Sequence, residues 1–195
     1  MPIQPQPLHC DASAFAPQLP ADLVARHRAA QQAGVEALNA LLADEVADPP
    51  PTLEELARTA RGAVAARAAQ AWAEEFYWSA LRPADGGPRE EPRGPLAESI
   101  AQAFGDPGRM RERFAEAATR LSGPGWLWLV QRRDRRLAIL ATPGSTTPLT
   151  GDDAPLLACP LWPHALPDDG PDARERHLAA FWALLDWKAV ASRMR

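Results

Sequence analysis

Apolar positions recur at two different periods along this chain. Up to about Leu121 they return every three to four residues, the helical spacing; from Trp126 they gather into short continuous runs, and the helical spacing resumes near the end. Ala21 to Ala47 reads as one or two helices, with Leu23, His27, Ala30, Gly34, Ala37 and Leu41 near helical spacing. Thr52 followed by Glu55 has the form of a capping box, in which each side chain takes up the other's backbone N–H. From there Leu53 to Leu81 reads as one long helix, ending in the aromatic run Phe76-Tyr77-Trp78. Leu96 to Phe104 predicts a short helix closed by Gly105. Arg109 to Leu121 predicts another, with Met110, Phe114, Ala117 and Ala118 on one face.

Trp126 to Val130 and Leu137 to Thr142 are apolar runs joined by Gln131-Arg132-Arg133-Asp134-Arg135-Arg136, a pattern that predicts an antiparallel hairpin. Leu156 to Trp162 is a third strand candidate. Ala173 to Met194 predicts a closing helix with Leu178, Phe181, Trp182, Leu185 and Val190 as its buried stripe. Helices followed by a small sheet with helices against it make an α+β fold. The expected organisation is a helical-hairpin half over residues 1–82, a Pro/Gly-rich linker over 83–95, and a mixed half over 96–195. This second half carries a three-stranded antiparallel sheet and helices.

Composition narrows the picture. The 21 prolines cluster at Pro2 to Pro7, Pro49 to Pro51, Pro83 to Pro95 and Pro160 to Pro171, where the missing N–H and the restricted preceding residue mark loops. With 46% hydrophobic residues the chain can bury a core, and a net charge of −4 gives no reason to expect nucleic acid or a membrane as partner. Arg132, Arg133, Arg135 and Arg136 read as a solvated hairpin tip. Cys10 and Cys159 are too few for a disulfide framework. There is no signal-peptide pattern and no run near the roughly 20 apolar residues that span a bilayer, so the cytoplasm is the expected location.

Several rare aromatics carry a resemblance. Ala69-Gln70-Ala71-Trp72 with Phe76-Tyr77-Trp78, the run Gly125 to Val130, and Leu137-Ala138-Ile139 with Thr142 and Thr147-Pro148-Leu149 come first. Pro155-Leu156-Leu157, Trp162, His164 and Phe181 to Trp187 follow in order, and Phe15-Ala16-Pro17 with Leu23-Val24 precedes them. Together, from about Leu8 to Arg193, the chain resembles the iron/manganese superoxide dismutases. That family holds its redox metal with three histidines and an aspartate.

Position by position, the resemblance implies a thinned metal site. The first histidine falls on His27 when counted from the N-terminal side and on Arg26 when counted back from Leu38-Asn39. One residue rotates a helical side chain by about 100°. The second histidine is replaced by Glu74, a carboxylate that can still ligate iron or manganese. The aspartate is replaced by Pro160, which has no ligating side chain, and the last histidine survives as His164. Gln70 stands where iron-type members keep an outer-sphere glutamine, and Trp128 and Trp162 remain around the site. Arg28 to Val35 lacks the family's funnel-lining histidine and tyrosine. Pro163 replaces the glutamate that bridges the family's dimer.

Two functions follow from that pattern. The favoured expectation is a dismutase-like protein that has lost catalysis and serves as a binding or assembly module for an unknown protein partner. It would hold no metal, and it would be a monomer or a homodimer with altered contacts. The alternative is a weak or altered iron/manganese-dependent superoxide dismutase whose metal is held by His27, Glu74 and His164, two histidines and one carboxylate.

Overall fold

The structure, a computed structural model, describes residues 2–43, 50–84 and 91–195. The end of the first predicted helical segment and the middle of the predicted linker fall outside them. Helix α1 (Ala21–Leu41) follows Pro20. It buries Leu23, Val24, His27, Gln31, Val35 and Leu38, so the core-facing stripe differs from the sequence-predicted one. Ala30, Gly34 and Ala37 border an open cleft instead, and Leu41 is exposed.

The capping box at Thr52 forms as the sequence predicts and starts α2 (Leu53–Thr59). The long helix expected after it is broken. Ala60 and Arg61 are extended, and Gly62 takes φ 60°, a left-handed value open to a residue without Cβ. Helix α3 (Gly62–Trp78) then packs beside α2. Leu53, Leu56 and Ala57 meet Ala68, Ala69, Ala71, Val35 and Leu38 in a small apolar cluster. Helices α4 (Gly94–Phe104) and α5 (Pro107–Arg120) follow; Gly105 ends α4 at φ 94° and Asp106 caps α5.

The sheet has the order β2-β1-β3, with β1 (Gly125–Gln131) antiparallel to both β2 (Leu137–Pro143) and β3 (Ala154–Pro160). Strand β3 begins and ends two residues before the predicted stretch. Central β1 is buried throughout, which is why it reads as one apolar run. At the hairpin tip Arg132 pairs with the half-buried Asp153, and Arg136 with Asp134 in solvent. The closing helix is also divided, into α6 (Ala173–Leu184) and α7 (Trp187–Ala191), whose N-cap is Asp186. At the break, Arg82 N–H donates to the Leu184 carbonyl and Asp186 N–H to that of Ala80. Those bonds tie the end of the helical half to the end of the chain. One apolar core, including Phe15, Val24, Tyr77, Ile100, Phe114, Trp126 and Phe181, runs through both halves.

Candidate metal centre

His27 lies in the first third of α1 and Glu74 in the last part of α3, both almost fully buried at 3% and 1% exposure. The helix register is thereby decided. His27 points inward, while Arg26 is on the surface and donates to the Leu166 carbonyl. His164 comes from the loop after β3 and remains partly open. His27 Nε2 stands 2.6 Å from Glu74 Oε2, and His164 Nε2 stands 3.3 Å from Glu74 Oε1. All three offer donor atoms within 4.8 Å of one another.

Burial by itself would push the Glu74 carboxyl up. The charge of His27 and the hydrogen bonds from His164 and His27 outweigh it and hold the pKa at about 2. An ionised carboxylate only accepts, so each imidazole presents an N–H to it. Gln70 Nε2 donates to Glu74 Oε1 at 2.9 Å, while Trp126 Nε1 donates to Gln70 Oε1 at 3.2 Å, which fixes the amide's orientation. His27 is walled by aromatic rings: Trp78 at 4.7 Å, His164 at 5.0 Å and Tyr77 at 5.5 Å between centroids. Trp162 stacks on His164 at 5.9 Å. Trp128 sits further back, its Nε1 donating to Thr142 Oγ1 and its ring facing Trp72.

Pro160 ends β3 opposite Trp126 and brings no donor. A histidine overlooked in the sequence lies behind it. His177, from α6, is 2% exposed, and neither ring nitrogen has a hydrogen-bond partner. Burial, with the charge of His27 added, lowers its pKa to about 4. The Pro160 carbonyl acts in the opposite direction, but its approach does not meet hydrogen-bond geometry. The sequence held a signal: His177, Phe181 and Leu184 are spaced four and three residues apart, one buried face of α6.

The donor set fits iron or manganese. Two ligand atoms about 2.1 Å from a divalent ion and at right angles stand about 3 Å apart. The two separations at Glu74 fall on either side of that figure. Two imidazoles and a carboxylate on one side, with positions left open on the other, is a set used for non-haem iron. The open side faces a cleft of about 790 Å³ between α1 and α3, which ends at Glu74, Trp162 and His164.

Residues 92–193 match the family described as "Iron/manganese superoxide dismutases, C-terminal domain". Proteins called Superoxide dismutase (Fe) from Salmonella typhimurium and Escherichia coli are each 43% identical over 143 residues, which covers 73% of this chain and 72% of theirs. The protein of that name from Legionella pneumophila is 38% identical over 144 residues, 74% of this chain and 73% of its own. None of the described helices is long and apolar enough to cross a membrane. On the family match and on the identity over nearly three quarters of its length, the chain belongs to the iron/manganese superoxide dismutases.

Proposed function

We propose that the protein is an iron- or manganese-dependent oxidoreductase acting on superoxide, weaker than a four-ligand dismutase, with His27, Glu74 and His164 as its metal ligands. The observation that carries this reading is the convergence of two imidazoles and one carboxylate beside a cleft that Glu74 and His164 line. The similarity to iron superoxide dismutases supports it further. An iron or manganese ion held there supplies one-electron exchange with the substrate. The chain's own residues supply the rest. His27 and His164 would turn from Glu74 the Nε2 atoms that now face it, each becoming a neutral nitrogen ligand. Glu74 brings one negative charge, and Gln70, steadied by Trp126, keeps its carboxylate in place. Trp78 and Tyr77 exclude bulk water from the His27 imidazole, and Trp162 covers one face of His164.

Pro160 favours a second reading, the non-catalytic scaffold. The pairs that Glu74 makes with both histidines would satisfy the buried carboxylate in a scaffold as well. Elemental analysis of protein from iron- and manganese-supplemented cells, with a dismutase assay, separates the two. The enzyme reading expects a bound metal and a superoxide-dependent rate, both abolished by His164→Ala. Protein that retains no metal and shows no rate leaves the scaffold.

A further inference from the structure

The cleft is much larger than a diatomic substrate needs. Its volume of about 790 Å³ lies in the range of about 300–1,000 Å³ that holds drug-sized molecules. On one wall, Ala30, Gly34 and Ala37 recur at helical spacing; the facing wall on α3 is also lined by small residues, Ala63, Ala66 and Ala71. Gly34 is informative. Glycine within a helix costs roughly 1 kcal/mol relative to alanine, and a Cβ at Gly34 would meet nothing within 4 Å. Packing therefore gives no reason for glycine there, and its effect is to keep the cleft wide.

The polar groups on the walls have one character. Arg67, exposed on α3, makes no ion pair among the described residues. Gln31, 4% exposed, accepts from the Arg28 guanidinium at Oε1 and leaves Nε2 without a partner. Glu74 is taken by the two histidines, and Gln70 Oε1 by Trp126. What remains is a cation, a spare N–H donor and the Ser145 hydroxyl, which suit a ligand with a negative charge and an additional acceptor oxygen. Arg67 and Glu74 are seven residues apart on one helix, about 10 Å along its axis.

We propose that the cleft binds a small oxygenated organic carboxylate, its carboxylate at Arg67, its apolar body along the alanines, and its far end at Glu74 and His164. This deepens the reading of that end as a metal centre and rests on it for any chemistry, but binding is measured without the metal.

The probe is 3-(4-hydroxyphenyl)propanoate, titrated by calorimetry into the full chain after chelator treatment and again with iron restored. Saturable binding to the metal-free protein is expected. Gly34→Leu fills the cleft and should abolish it while the thermal midpoint stays level or rises. Arg67→Gln should weaken it about tenfold or more and remove the preference over the methyl ester. The inference is overturned by no saturable binding, by binding indifferent to Gly34→Leu, or by binding seen only with iron and unaffected by Arg67→Gln. It is equally overturned if the parent is a dimer that Gly34→Leu dissociates, since a second copy then fills the cleft. Carboxylate binding without metal retention would refute the proposed function alone; metal retention without carboxylate binding would refute this inference alone.

Discussion

Replacing His177 by Phe should flatten the acid sensitivity of this fold. The parent buries an imidazole that neither hydrogen bonds nor meets water, and its pKa is lowered from an ordinary 6.5 to about 4. The unfolded chain therefore takes up a proton that the folded chain refuses. Stability is fully present above pH 6.5, falls as the pH drops below it, and has lost the whole contribution by about pH 4. At about 1.4 kcal/mol for each tenfold change in proton affinity, that gap is worth about 3 kcal/mol, a large part of a marginal domain's stability. Glu74 titrates elsewhere. Its carboxyl is held at about 2 against an ordinary 4.5, so its contribution disappears only as the pH falls from 4.5 towards 2. Urea unfolding of the metal-free parent and His177→Phe between pH 7.5 and 4.5 reads the difference. Because slopes with pH are compared, any packing cost of the larger ring cancels. Equal losses in the two proteins over that window would refute the assignment to His177.

Glu74→Ala leaves the buried His27 and the half-buried His164 without their carboxylate and should destabilise by about 3 kcal/mol, read by the same urea curves on metal-free protein. Pro160→Asp restores a carboxylate at the end of β3. We expect it to raise retained iron or manganese at least about tenfold, because it adds a charged ligand, and to lower the thermal midpoint of the metal-free protein. Arg174 donates to the carbonyls of Ala118, Leu121 and Gly123 and so closes the end of α5. Arg174→Ala should cost about 2 kcal/mol, with increased amide exchange confined to that helix end. Thr52→Ala removes the cap of α2 and should cost about 1 kcal/mol by thermal unfolding.

Local chemistry made much of the fold legible in the sequence. The capping box at Thr52, the glycine stop after Phe104 and the hairpin of β1 and β2 depend on neighbours within a few residues, and they form as predicted. The aromatic spacing that carried the family resemblance is a property of the sequence too. Tertiary structure decided what depends on partners distant in the chain. It broke the long helix before Gly62, where α2 folds back so that Leu53, Leu56 and Ala57 pack in one cluster with Ala68, Ala69 and Ala71 of α3. It divided the closing helix where Leu184 and Asp186 find backbone partners at residues 80–82. Sequence spacing left His27 and Arg26 open as the inward residue; packing against Tyr77 and Trp78 and a bond to Glu74 chose His27. The spacing of Ala30, Gly34 and Ala37 on α1 is visible in the sequence, and so is the alanine content of α3. That they face each other across a cleft, with Glu74 and His164 at its end, follows only from the way the helices pack.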